Sequence, residues 1–287
     1  MKPIEVRSNC VLGVSGGADS MFLLHHYRHA KNIQVVHLNY GVRSDSDQDE
    51  LLVREYCERY EISCHTKRVT LDSSGNFEAA ARDARYRMFN RVMDFYDLNH
   101  IVTAHNADDQ SETFLMRMLR GTGLQGMSCI HRDDGVLFRP LLDWSKDEIY
   151  DECKRLDIPY REDSTNTDTT FLRNWFRHSY DTKPMTKTIG MIVDTMQRLL
   201  PRLMSMATEL YAGKIFFDEH NRLWISKDLE PDMLFHFYVS KFFTGRGLSY
   251  EACERMFSTD PSTRHFDLGG GIRCNKLKKK WIIIEFG

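Results

Sequence analysis

The sequence lacks the devices of a secreted or metal-stapled domain. Its seven cysteines in 287 residues are an odd number, and no Cys-x-x-Cys pair occurs among them. The closest two, Cys57 and Cys64, have the spacing of neither a zinc ribbon nor an iron–sulfur site. Reduced, mostly buried thiols are expected, with no disulfide and no structural metal. Long apolar runs are missing too. None approaches the roughly 20 residues that span a bilayer, and the stretch from Met1 to Arg7 has no export-signal core. No membrane partner is expected, and the cytoplasm is the default location. Neither charge sign dominates: 39 basic side chains stand against 41 acidic ones, a formal net charge of -2. That balance excludes a protein coated all over with nucleic acid, while leaving room for a local basic surface. Repeats and low-complexity tracts are also lacking.

What is present is a globular composition, 41% hydrophobic and 28% charged, on a chain long enough for one large or two smaller domains. Short apolar runs alternate with helical patterns. Cys10 to Val14 reads as a buried strand, followed by a helix carrying Met21, Phe22, Leu23 and Leu24. Strands are expected over Ile33 to Asn39, Ser63 to Val69 and His100 to Ala104, and helices over about Ser46 to Tyr60, Phe77 to Phe95 and Ala107 to Leu119. This rhythm predicts an α/β fold, a parallel sheet with helices on both faces. Further on, Ser145 and Glu148 have capping-box spacing for a helix to about Leu156. Thr186 to Tyr211 is a long helical pattern interrupted at Pro201. The remainder is mixed: a hairpin around Glu219 to Asn221, helices over about Asp232 to Phe243 and Ser249 to Phe257, and strands flanking Gly269-Gly270-Gly271. The expected organisation is a catalytic domain over 1–182, a helical linker over 183–211 and a small α+β C-terminal domain over 212–287.

Ser15-Gly16-Gly17-Ala18-Asp19-Ser20 lies between the first strand and its helix. Glycines let the main chain approach an anion closely, and the helix start favours negative charge. Hydroxyls at each end can add hydrogen bonds, and Asp19 can hold a magnesium ion beside phosphates. A tight turn with no ligand is the plain alternative. No Gly-Lys-Ser/Thr follows, so the loop is not a Walker A motif. It resembles the pyrophosphate loop of the N-type ATP pyrophosphatases. Ligands of parallel sheets lie beyond the carboxyl ends of the strands, where this loop, Asn39 to Arg43 and His105 to Asp109 all fall. Acids in a first helical turn are often dipole partners worth about 0.3–1 kcal/mol each. Asp108, Asp109 and Glu112 together exceed what capping requires. Arg120, at the far end of that helix, reads equally as a dipole partner or a phosphate ligand. Arg82 and Arg85, on neighbouring turns of one helix, are either solvated charges or anion-facing. Basic residues also gather at Arg173, Arg177, Lys183 and Lys187, and at Arg273, Lys276, Lys278, Lys279 and Lys280.

Taken in order, several segments resemble the tRNA(Ile)-lysidine synthetase family. They are Ser-Gly-Gly-Ala-Asp-Ser (15–20), His-Leu-Asn-Tyr-Gly-Val-Arg (37–43), Ala-Arg-Asp-Ala-Arg-Tyr (81–86) and Thr-Ala-His-Asn-Ala-Asp-Asp-Gln-Ser-Glu-Thr (103–113). Arg-Gly-Thr-Gly (120–123), Arg-Pro-Leu-Leu (139–142), Glu-Asp-Ser-Thr-Asn-Thr-Asp (162–168) and Arg-Asn-Trp-Phe-Arg (173–177) continue the series. Two positions depart from the family pattern, which has histidine where Tyr40 and Asn106 stand. The chain is also short for the family, so an additional C-terminal module of its long members is expected to be missing.

The resemblance implies ATP binding by Ser15, Gly16, Gly17, Ala18, Asp19, Ser20, His37, Asn39, Arg43, His105 and Arg120, with Mg2+ on Asp19 and Asp109. It agrees with tRNA contacts by Arg82, Arg85, Arg173, Asn174 and Arg177, to which the C-terminal basic cluster adds Lys278, Lys279 and Lys280. The partners would be an isoleucine tRNA with a CAU anticodon and free L-lysine. The wobble cytidine would be adenylated at its 2-carbonyl oxygen, and lysine would then displace AMP. Asp19, Asp108, Asp109 and Glu112 form the candidate catalytic set. Asp108 and Glu112 lie four apart on one helix face and suit a lysine ammonium, while Asp109 points about a quarter-turn away, toward the metal. Two rival expectations are a thiolating relative, which would need reactive cysteine pairs, and a tRNA-binding relative that has lost catalysis. Oligomeric state is left open, a homodimer included.

Overall fold

The structure, a computed structural model, describes residues 2–41, 45–70, 77–162, 183–220, 222–230, 232–243, 250–258, 266–267, 272–278 and 281–286. The first half alternates as expected: β1 (Cys10–Gly13), α1 (Ala18–Tyr27), β2 (Ile33–Asn39), α2 (Ser46–Arg59), β3 (Ser63–Arg68), α3 (Phe77–Phe95), β4 (His100–Val102) and α4 (Ala107–Leu119). A short α5 (Leu124–Met127), an edge strand β5 (Leu137–Phe138) and α6 (Lys146–Arg155) follow. Every strand pair in this sheet is parallel, in the order β3-β2-β1-β4-β5. The chain steps outward in one direction from β1 to β3 and in the other through β4 and β5. Crossovers therefore diverge at β1 and β4, and open α/β sheets bind ligands at such a divergence.

Alternation along the strands builds two cores. Cys10, Leu12, Val35 and Val102 face α1, α2 and α6, where they pack with Met21, Leu24, Val53, Cys57, Ile149 and Cys153. Val11, Val36 and Ile101 face α3 and pack with Phe89 and Val92. A parallel sheet covered on both faces needs this apolar alternation on both sides. Gly13 allows the closest approach: a Cβ there would lie 2.5 Å from the Phe89 ring. Cys10, Cys57, Cys64, Cys129, Cys153 and Cys253 carry free thiols, and all of these but Cys64 are buried. Burial pushes the Cys10 thiol up to about 12.

The chain divides into two compact units, one of residues 1–120 with 129–193, the other of 121–128 with 194–287. The second contains β6 (Ile215–Phe217), β7 (Leu223–Ser226), α8 (Met233–Ser240), α9 (Tyr250–Ser258), β8 (Phe266–Asp267), β9 (Ile272–Lys278) and β10 (Trp281–Phe286). Its strands form an antiparallel sheet ordered β6-β7-β10-β9-β8. Leu223, Ile225, Ile282 and Ile284 pack there against Phe235, Ala252 and Met256. The expected interruption at Pro201 does not occur: α7 (Lys183–Leu210) runs through it. The proline removes one backbone donor, but Ile189 and Val193 before it and Leu200 and Ala207 after it are all buried. Burial of that face outweighs one lost hydrogen bond. Among the described residues, no helix is long and apolar enough to cross a membrane.

Candidate active site

The carboxyl end of β1 turns into the glycine loop. Gly16 adopts φ +95°, which a residue with a Cβ rarely tolerates. The two hydroxyls of the motif brace the turn. Ser20 Oγ accepts from Ser15 N at 3.1 Å and donates to Gly17 O at 3.0 Å. With that proton committed, Ser15 Oγ donates to Ser20 Oγ at 3.1 Å. Gly17 is then the N-cap of α1 and offers the helix no capping side chain of its own. Asp19 stands in this first turn, facing α6. Burial and then the Asp19 charge raise the Tyr150 phenol, and the same two causes push the Cys153 thiol up to about 12.

β4 ends one strand away, in register with β1 through Leu12 and Val102. His105 Nδ1 pairs with Thr103 Oγ1 at 2.8 Å. Asn106 caps α4: its Oδ1 accepts from the backbone N of Asp108 and of Asp109, each at 3.0 Å, and Asp109 Oδ2 accepts from Asn106 N at 3.0 Å. Asp108 Oδ2 accepts from Lys146 N at 2.7 Å, satisfying the first turn of α6. The capping explanation for these aspartates is thus realised in the fold, beside any chemical role. Glu112, one turn on, is buried. Gln110 anchors the following loop through two bonds to the Ile130 backbone, both 2.8 Å.

At the end of β2, His37 is buried. Its Nδ1 donates to Val14 O at 3.0 Å, and its Nε2 has no hydrogen-bond partner among the described residues. Burial holds its pKa below the ordinary histidine value, so the neutral ring presents Nε2 as an acceptor. Asn39 is spent on the fold: Nδ2 donates to Asp47 at 2.7 Å and Glu50 at 3.1 Å, while Oδ1 accepts from Gly41 N at 2.9 Å. Tyr40, where the family pattern has histidine, donates to Ala81 O at 3.1 Å and accepts from Arg85 Nε at 3.4 Å. Arg82 lies over the Tyr86 ring, 4.7 Å from its centre.

The structure therefore brings the glycine loop, Asp19, His37, His105 and the start of α4 to one sheet edge. It does not bring Arg120 there, since a 13-residue helix separates that residue from Asn106, about 20 Å at 1.5 Å per residue. Arg43, Arg173, Asn174, Arg177, Lys279 and Lys280, and the Lys278 side chain, lie outside the described residues. Sequence reasoning missed Arg161, which hydrogen-bonds Gly16 and two α2 carboxylates.

A model of the PP-loop domain matches residues 1–181. The chain belongs to the PP-loop family. Among its relatives, the tRNA(Ile)-lysidine synthase of Clostridium tetani is 35% identical over 179 residues, covering 58% of this chain and 38% of that protein. The corresponding enzyme of Bacillus licheniformis is 37% identical over 182 residues, with the same two coverages of 58% and 38%. The match thus spans about two-fifths of the length of these relatives. Among solved structures, a U34-tRNA thiolase from Methanococcus maripaludis, determined with its [4Fe-4S] cluster, superposes with a TM-score of 0.55 at 20% identity. The superposition covers 68% of this chain and 72% of the thiolase. At that identity the likeness concerns the fold alone.

The PP-loop residues fit a polyphosphate. The turn at Gly16 disfavours a side chain, because a Cβ there would sit 3.2 Å from Asp49 Cβ at a φ that side chains rarely adopt. The N-cap Gly17 sets no side chain against the α1 amides. Among the described residues no three His, Cys, Asp or Glu side chains gather as a metal cluster. A magnesium ion at Asp19 and Asp109 would draw its remaining oxygens from phosphates and water, as magnesium in nucleotide sites does.

Proposed function

We propose that this PP-loop chain acts as a tRNA(Ile)-lysidine synthase. It would ligate free L-lysine to the 2-position of the wobble cytidine in an isoleucine tRNA with a CAU anticodon. The observation that carries the reading is the placement of the side-chain-uncapped start of α1 and the carboxylate-rich start of α4 on neighbouring strands at the sheet's divergence. The relatives' activity agrees with it. The loop amides hold the β- and γ-phosphates of ATP, in a turn braced by Ser15 and Ser20, while the cytidine 2-oxygen attacks the α-phosphorus and pyrophosphate leaves. Bound magnesium would neutralise charge on those phosphates, held by Asp19 and Asp109. The lysine Nε then attacks C2, and AMP departs with the former carbonyl oxygen.

A free amine of unperturbed pKa ~10.4 is scarce at pH 7. The site must therefore bind an ammonium and remove its protons. Buried Glu112 is the first candidate and Asp108, one turn before it, the second. Arg82 and Arg85, with Arg173, Asn174, Arg177 and Lys278, Lys279 and Lys280, are the proposed tRNA contacts. Affinity should then fall with salt, at a log–log slope of about -0.7 to -0.9 per phosphate contact. The deciding experiment incubates the protein with ATP, lysine and tRNA(Ile) and analyses the nucleosides. Lysidine at the wobble position supports the reading. Pyrophosphate release with no lysine in the tRNA overturns it.

A further inference from the structure

We infer that Arg161 is a positioning residue for the phosphate loop, neutralising two carboxylates that α2 sets against it. The inference rests on the proposed ATP-dependent reaction. Asp49 is 6% exposed, and its Cβ would lie 3.2 Å from a Cβ placed on Gly16. Asp45 stands one helical turn before it. Two carboxylates so close to a loop that takes a polyanion would repel the ligand across a partly desolvated gap. Arg161 faces both: Nε donates to Asp49 Oδ1 at 2.8 Å and Nη2 to Asp45 Oδ2 at 2.9 Å. Its backbone N also donates to Gly16 O at 3.0 Å. In a planar trans peptide the carbonyl and the next N–H point in opposite directions. Holding Gly16 O toward Arg161 therefore aims the Gly17 N–H away from it.

The other acids of the same turn are held by other groups. Asp47 pairs with Arg68 at 3.2 Å and accepts from Asn39, which also serves Glu50. Among the described residues, Arg161 is a cation that stands between Asp45, Asp49 and the loop. A planar fork reaching two separate carboxylates is a task for arginine, and lysine can supply the charge but not the span.

The experiment measures ATP affinity with a fluorescent ATP analogue, and KM and kcat for pyrophosphate release, in Arg161→Gln, Arg161→Lys, Asp49→Asn and the Asp49→Asn/Arg161→Gln double variant. The backbone bond to Gly16 survives in all four, so the guanidinium alone is tested. Arg161→Gln should weaken analogue binding and raise the ATP KM on the order of tenfold, with kcat and the lysine KM little changed. Arg161→Lys should recover part of that loss. Adding Asp49→Asn to Arg161→Gln should restore affinity, because it removes the charge left facing the ligand. If Arg161→Gln does not fold, the double and lysine variants carry the same comparison. An ATP affinity within twofold of wild type in Arg161→Gln, or a double variant weaker than the single, overturns the inference. Wild-type protein that binds the analogue but makes no lysidine would sink the proposed function and leave this inference standing. Wild-type protein that does not bind it sinks both.

Discussion

Two helices begin at the same edge of the parallel sheet, and they begin differently. α4 starts on Asn106, whose side chain accepts two first-turn amides while Asp109 returns to the Asn106 backbone. α1 starts on Gly17, which has no side chain to cap it. Helix starts leave four amides in need of partners. At α4 the protein supplies acceptors from its own chain. At α1 it shapes the turn with Gly16, Ser15 and Ser20, and in the proposed function the helix start receives an anion. In the proposed function the α4 start serves the fold through its cap and the α1 start serves the ligand. Asp109 belongs to both, closing the α4 cap through Asn106 N and holding the proposed metal.

The sharpest way to break this contrast is Asp19→Asn. If the α1 start serves ATP and its metal, pyrophosphate release should fall by about a hundredfold or more, with the circular dichroism spectrum unchanged. ATP–pyrophosphate exchange at the wild-type rate would make Asp19 an ordinary first-turn charge.

Glu112→Gln tests the other side. It should raise the lysine KM by roughly tenfold, the scale of one hydrogen bond to a charged group, and leave adenylation nearly intact. Loss of adenylation with lysine dependence unchanged would assign Glu112 to the metal or the fold. Next comes Gly16→Ala, which places a Cβ 3.2 Å from Asp49 Cβ at φ +95°. Urea unfolding should show about 1–2 kcal/mol of destabilisation, with a raised ATP KM. The smallest effect is expected from Asn106→Ala. Losing the cap should cost about 1 kcal/mol in thermal or urea unfolding, with the ATP KM within about twofold of wild type, since those amides serve the fold. A large rise in that KM would mean that the two helix starts share the nucleotide.

Much of this was legible in the residues because it is local. The helices Phe77–Phe95 and Ala107–Leu119 fall where periodicity puts them, and the Ser145–Glu148 capping box forms as its spacing predicts. The glycine turn was legible for the same reason, since Ser15 and Ser20 brace it within six residues, whereas the distant Arg161 that also holds Gly16 was not. Tyr40 and Asn106 were not. In the one-dimensional pattern both are departures from histidine. In the structure Tyr40 ties β2 to the start of α3, and Asn106 makes the cap of α4. Pro201 misled for a related reason: its cost is local, whereas the burial that carries α7 past it is distributed over several turns.

By itself the sequence determined the strand and helix order, the parallel sheet that this order demands, and the chemistry available at its carboxyl edge. Periodicity, capping and glycine turns act over a few residues, so they are present in any short window of the chain. Tertiary structure decided which of those residues meet. Arg161 reaches Asp49 and Asp45 across 112 and 116 positions. Asp108 caps a helix 38 residues away. Such pairings follow from strand order and from the need to give every buried charge and amide a partner once water is excluded.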